Sequence, residues 1–237
     1  MSTPILPEAA APVSRRRALA LFSLTAAAAA LPSQLRAEEY VRPAFQMPRT
    51  PEEALRELRA GNQRFVDGKA TEPNRTMGRI REISTSQSPF AAVLSCADSR
   101  VPVEIVFDQG FGDIFVCRAA GNIVSPEIIG SLEFGTVALG AKVLMVLGHT
   151  GCGAVKATIA GDPVPGQIST LYRHIQPAVD RTPSKELEAV ARENVRVQAR
   201  LLRSSSPVVA GLVRDKKLLV VGGVYDLATG RVTMLDV

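Results

Sequence analysis

Four apolar runs, each continuous rather than alternating, limit what this chain can fold into. They occupy residues 90–95 of "PFAAVLSC", 113–118 of "GDIFVCR", 143–147 of "AKVLMVLGHTGCG", and the segment "KLLVVGGVY" near the C-terminus. A strand with one wetted face alternates polar and apolar residues, so an uninterrupted run reads as a strand buried on both faces. Helix-like segments separate these runs. The expected class is therefore α/β, a mainly parallel central sheet covered by helices. With 46% apolar residues in 237, the chain can fill a core without disulfides or a structural metal.

The helical segments carry their own signals. In "TPEEALRELRAGNQRF", Thr50 can cap, Pro51 suits the first helical position and Glu53 completes a capping box. Ala54, Leu55, Leu58 and Phe65 then form an apolar face. "SLEFGTVALG" predicts a helix, and "SSSPVVAGLVRD" a short capped one. Leu187, Val190, Asn194, Val197 and Leu201 fall at helical spacing, and "YDLATGRVTMLDV" reads as a glycine-containing turn and a returning strand. No internal repeat is visible. One domain is expected over 51–237, preceded by a polar connector over 38–50.

The first residues read as an address. "SRRRALALFSLTAAAAAL" sets three arginines before a 14-residue apolar run, 18–31, too short and alanine-rich for a membrane span. Paired arginines before such a run predict a twin-arginine export signal over 1–37, removed on the way to the periplasm, leaving a mature form without a stable membrane span. That segment also holds +3 of the +5 net charge. The small remainder, without interleaved aromatic and basic residues, argues against nucleic acid as a partner. Three cysteines cannot all pair within one chain, so a disulfide framework is not expected. Folded export would let thiols take up a metal in the reducing cytoplasm first.

The chemistry gathers at two run ends. In "VLSCADSRVPVE", Cys96 and Asp98 alternate and so project the same way, with Arg100 next in the series. They lie past the carboxyl end of a strand, where open α/β sheets bind ligands. In "VLGHTGCGAV", Gly148 is expected to turn the chain, and His149 and Cys152 follow at H-x-x-C spacing. Cys152 should begin a helix, whose free amides favour a thiolate. Gly151 and Gly153 let the backbone close around a ligand, which makes Gly153 a candidate substrate contact. If the two strands are neighbours, Cys96, Asp98, His149 and Cys152 converge, and two thiolates with an imidazole select zinc. With two histidines in the chain, a three-histidine site is excluded. The plainer alternatives are an Asp98–Arg100 structural ion pair and a Cys96/Cys152 redox dithiol, the latter without a C-x-x-C motif. Cys117 reads as a small core hydrophobe and His174 as a packing or helix-surface residue.

"CADSRVP", with the His of "HTGCG" 53 residues after its Cys, resembles the β-class carbonic anhydrases. The resemblance runs through "GDIFVCRAAGN", "SLEFG" and "VVGGVYDLATGRV" and covers roughly 51–237. It implies one zinc per subunit, held by Cys96, His149 and Cys152. Asp98 is either a fourth ligand, closing the site, or turned to Arg100, leaving it open. The implied reaction is reversible hydration of carbon dioxide to bicarbonate and a proton, by attack of zinc-bound hydroxide, with Asp98 and Arg100 as the catalytic pair. Gln87, nine positions before Cys96, matches a glutamine that helps bind bicarbonate in open members. Phe115 and Phe134 match aromatic pocket residues. The shut branch uses a tryptophan that this chain lacks, so the open type is expected at pH 8. Ala119, in "RAAGN", departs from the asparagine many relatives carry. Relatives are dimers or tetramers with the pocket at the subunit boundary and N-terminal helices laid over the partner. Two thiolates make a weaker Lewis acid than a three-histidine site, so activity should rise toward alkaline pH. The rival readings are a hydrolase of a carbon dioxide analogue such as carbon disulfide, and a non-catalytic structural zinc protein.

Overall fold

The computed structural model describes residues 47–237, so the signal expected over 1–37 and most of the connector lie outside the described residues. Strands β1 (Ala91–Ser95), β2 (Ile114–Arg118), β3 (Val143–His149) and β4 (Leu219–Tyr225) form the parallel part of a sheet, and β5 (Val232–Leu235) pairs antiparallel with β4. The order is β2-β1-β3-β4-β5. β1 and β3 are buried along their whole length, which is why their sequences show no alternation. β2 lies at the edge, and its Arg118 is exposed.

The helices are α1 (Pro51–Val66), α2 (Met77–Glu82), α3 (Val103–Val106), α4 (Pro126–Glu133), α5 (Gly153–Ala160), α6 (Tyr172–Asp180), α7 (Leu187–Ser205) and α8 (Pro207–Arg214). None among the described residues is long and apolar enough to cross a membrane. The capping box of α1 is present, with the Glu53 amide donating to Thr50 Oγ1 at 3.2 Å and the Thr50 amide to Glu53 Oε2 at 3.2 Å. Ser206 caps α8 through the Val209 amide at 3.0 Å. The segment expected as one helix after Ser131 instead passes from α4 into a π turn, Phe134–Ala138. There Gly135 packs under the Phe115 ring, where a Cβ would come within 2.8 Å of Cδ1.

α7 buries Val190, Ala191, Asn194, Val195, Gln198, Ala199 and Leu202. The apolar stripe read from sequence caught one flank of this face: Leu201 is exposed, and Gln198 was hidden by its polarity. Gln198 is core because its amide is fully used. It accepts from the Val124 amide at 2.9 Å and donates to the His174 carbonyl at 2.8 Å.

Register positions the functional end. Ser95 lies level with Leu147 on one side and Arg118 on the other. The chain leaves β1 for β2 on one flank and later enters β3 on the opposite flank, so the order reverses between β1 and β3. The carboxyl edge at such a switch point is the crevice where doubly wound sheets bind ligands.

Gly148 corrects one expectation. It does not turn the chain; it is still inside β3, paired with Val224, and the turn comes at Gly151 with φ of 64°. Gly148 is needed for packing, since a Cβ there would meet Val195 Cγ2 of α7 at 2.7 Å. Gly148→Ala should destabilise the fold by about 1–3 kcal/mol, the usual cost of overpacking a core. Urea unfolding checks this, and adding Val195→Ala should recover part of the loss; strictly additive effects would contradict the contact.

Candidate metal centre

The loop after β1 is held from β2. Arg118 donates through Nε to the Cys96 carbonyl at 3.0 Å and through Nη2 to the Asp98 carbonyl at 2.6 Å. Ala119 continues the strand pairing with its backbone, donating to the Ser95 carbonyl at 3.1 Å and accepting from the Ala97 amide at 3.3 Å. The contacts this loop takes from position 119 are therefore main-chain ones, which do not depend on the side chain there. Arg118 was missed in the sequence, where its signal was an arginine closing an apolar strand.

Cys96, His149 and Cys152 meet at the carboxyl edge, with one ligand atom from each lying within 4.8 Å of the others. They are 4%, 1% and 2% exposed. Cys96 Sγ accepts the Gly121 amide at 3.3 Å and is also approached by the Asp98 amide. Gly121 adopts φ of 74°, and a Cβ on it would strike Ile175 Cδ1 at 2.7 Å, so both conformation and space demand glycine. The Gly121 carbonyl is fixed in turn by Asn194 Nδ2 at 2.8 Å.

His149 Nδ1 lies 2.8 Å from the Thr150 carbonyl, which places the ring proton there and leaves a lone pair on Nε2. That Nε2 is buried and has no hydrogen-bond partner. A buried acceptor without a donor, facing two sulfurs, fits a cation. Tetrahedral zinc with two sulfur ligands sets those sulfurs about 3.8 Å apart, compatible with this spacing. Zinc held by these three donors alone would have its fourth position open to an exogenous ligand.

The electrostatics agree with that donor set. The hydrogen bond from Cys152 pulls the Cys96 thiol down and pushes the Cys152 thiol up, so the two share a proton. Cys152 does precede α5, and the Ala154 and Val155 amides favour its thiolate as expected, but the hydrogen bond with Cys96 and burial outweigh them. Burial opposes a charged His149, yet the Cys96 thiolate and the Thr150 carbonyl raise it overall.

Asp98 is turned to Arg100. Arg100 Nε meets Oδ1 at 3.0 Å, Nη2 meets Oδ2 at 2.8 Å, and the Arg100 amide adds a bond to Oδ1 at 2.9 Å. These contacts hold the carboxyl well below the usual carboxylate range. Oδ2 is 3.8 Å from His149 Nε2, so Asp98 stands beside the three donors while engaged elsewhere. Gly153 is exposed at the first position of α5, next to Cys152.

Gln87, Phe115 and Phe134 are not at this edge. Gln87 precedes β1 and is exposed in a hollow with Ile83 and Gly112, while Phe115 is level with Ala92. The Phe134 ring is 6.3 Å from that of Phe115. Four steps of about 3.3 Å along β1 put Ala92, and the level of Phe115, about 13 Å from Cys96. Within one chain these residues and the three donors occupy opposite ends of the sheet. His174 lies on α6 with Nε2 accepting from Arg173 at 3.2 Å, and Cys117 is in the apolar core, its thiol pushed up by burial.

Residues 91–232 match the family model described as "Carbonic anhydrase". The chain is 33% identical over 198 residues to carbonic anhydrase 2 of Mycobacterium tuberculosis, covering 80% of this chain and 96% of that protein. The β-carbonic anhydrase of Coccomyxa, solved with acetazolamide, is 28% identical with TM-score 0.61, covering 74% of this chain and 83% of that one. One of two tetrameric β-carbonic anhydrases from Sordaria macrospora, at 21% identity, shares the fold with TM-score 0.62 over 75% of this chain and 94% of its own.

Because a cation must displace the proton shared by the thiols, and His149 must be neutral to bind, metal affinity should strengthen as pH rises. Chelator competition from about pH 6 to 8 measures this, and an affinity independent of pH would contradict the assignment of thiol and imidazole donors.

Proposed function

This chain belongs to the carbonic anhydrase family of enzymes, in its β class, and from that premise we propose that it hydrates carbon dioxide reversibly to bicarbonate and a proton with zinc held by Cys96, His149 and Cys152. The observation that carries the reading is the unpartnered, buried Nε2 of His149, facing two thiols beside a carboxylate tied to arginine. Zinc, when bound, supplies Lewis acidity that generates a water-derived nucleophile near neutral pH.

The chain's own residues do the rest. Asp98 accepts a hydrogen bond from the attacking oxygen and so aims its lone pair at the carbon of the substrate. Arg100 fixes that carboxylate with a bidentate grip and, being charged at every working pH, keeps it an acceptor and away from the metal. This is the open arrangement. A structural zinc protein would need a permanent fourth protein ligand and would have no use for the Asp98–Arg100 pair.

Gln87, Phe115 and Phe134 enter the pocket from a second copy. Their position at the amino edge of the sheet supports this, as do Phe111, Phe134 and Val137, which are 47%, 53% and 55% exposed. The tetramers of the Sordaria proteins are in keeping with it. In the assembled site the Gln87 amide holds an oxygen of bicarbonate, and the aromatic rings exclude water from around an uncharged substrate.

Stopped-flow hydration of carbon dioxide by zinc-loaded protein is the direct test. Rates should rise toward alkaline pH, and Asp98→Asn should keep its zinc while losing at least about 100-fold in turnover, the scale of a lost proton-handling group. Full activity in that variant would refute the role of Asp98, and carbon disulfide hydrolysis without hydration would reassign the substrate. Cys96→Ser should lose metal and activity together. Mixing Cys96→Ser with Gln87→Ala subunits should restore activity, because one site per mixed dimer then has intact thiols and a partner's glutamine. No recovery in a verified mixed dimer would place Gln87 in the same chain's site.

A further inference from the structure

Between His149 and Cys152 one peptide unit is bonded at both ends. Its carbonyl, on Thr150, accepts the Nδ1 hydrogen of His149 at 2.8 Å. Its amide, on Gly151, donates to Glu188 Oε1 at 3.0 Å. Glu188 comes from the first turn of α7, a different layer of the fold. The same loop is also fastened by neutral groups: the Thr150 amide donates to the Tyr225 carbonyl at 2.9 Å, and the Leu227 amide to Thr150 Oγ1 at 3.0 Å. Glu188 adds a negative charge to one end of a peptide whose other end holds the imidazole.

An anion accepting from a peptide N–H draws the amide dipole toward itself and enriches the carbonyl oxygen in electron density. That oxygen then grips the Nδ1 proton more firmly. In metal sites, the group accepting the hydrogen of a histidine's second nitrogen fixes the ring and raises its basicity, commonly as a carboxylate in direct contact. Here the direct partner is a carbonyl, and the carboxylate sits one peptide behind it. An acid in the first turn of α7 is accounted for by the helix dipole. Its bond to Gly151 is not.

We infer that Glu188 is a positioning residue for His149, acting through the Thr150–Gly151 peptide, and that its negative charge strengthens metal binding at Nε2. The inference rests on the zinc site of Cys96, His149 and Cys152. It assigns Glu188 no contact with substrate.

Zinc affinity of the metal-free protein, measured by competition with a chromophoric chelator, tests it. Glu188→Ala should weaken binding about tenfold, the lower end for removing a ligand-orienting partner, because Glu188 is half-exposed. Glu188→Gln is nearly isosteric and keeps an acceptor for Gly151 without the charge, so it should weaken binding by a smaller factor, about threefold. Glu186→Gln, a change of charge two residues away, should bind as the wild type does. A Glu188→Ala affinity within about twofold of wild type overturns the inference. A Glu188→Gln affinity equal to wild type does the same, since a purely structural tether would survive that change. Wild-type protein that takes up no zinc in the same titration sinks the metal site instead, so the two failures are distinct. In zinc-loaded protein the Nδ1–H proton resonance of His149 should move upfield in Glu188→Gln, and an unmoved resonance counts against the relay.

Discussion

The parallel pairing of β1 with β3 is the constraint on which the site depends. Ser95 opposite Leu147 sets Cys96, the first residue after β1, beside the end of β3, where His149 is the last residue of the strand. Pleated strands change face at each residue, so a slip of one position would turn these side chains to the wrong face. Every residue of β1 and β3 is enclosed, so both strands are held from the two faces of the sheet. Gly148 belongs to the same argument. By omitting a side chain it lets Val195 of α7 reach the sheet one residue before the imidazole.

Much of this was legible in the sequence because the signals were local. Uninterrupted apolar runs marked the central strands, Thr50 and Glu53 marked a helix start, and the spacing of Cys96, Asp98, Arg100, His149 and Cys152 marked two strand ends. What escaped was set by distance. Gln198 looks polar and sits in the core because its partners, Val124 and His174, are 74 and 24 residues away. Arg118 and Glu188 act on backbone groups of other elements, and a backbone acceptor leaves no trace in residue identity. Gly148 was misread as a turn for a related reason: glycine has two uses, freedom of φ and absence of Cβ, and only tertiary packing tells which applies.

The two carboxylates around the centre have complementary positions. Asp98 lies beside the ligand atoms and would bind a cation if free, but Arg100 satisfies both of its oxygens. Glu188 lies behind the ligand loop and reaches it only through a peptide. The sequence thus places negative charge near the three donors without adding that charge to them. For a centre that must keep one coordination position for an incoming molecule, this division is necessary, since a third anionic donor would fill the corner and also weaken the Lewis acid.

The same economy separates the donors from the aromatic surface within one copy of the chain. The carboxyl edge of the sheet supplies donors, an orienting carboxylate and main-chain amides, but its cluster is closely packed by Ile123, Val155, Ile175 and Val179. Those residues serve the metal loop and are not free to form a separate hydrophobic wall. The aromatic pair lies elsewhere, Phe115 near the amino end of β2 and Phe134 against it at the start of the π turn, and both are partly exposed. On the proposed function, an apolar substrate cavity built from both forms where two copies meet, with ligands from one and walls from the other. Burial of that surface would then stabilise the assembly and dry the site in a single step.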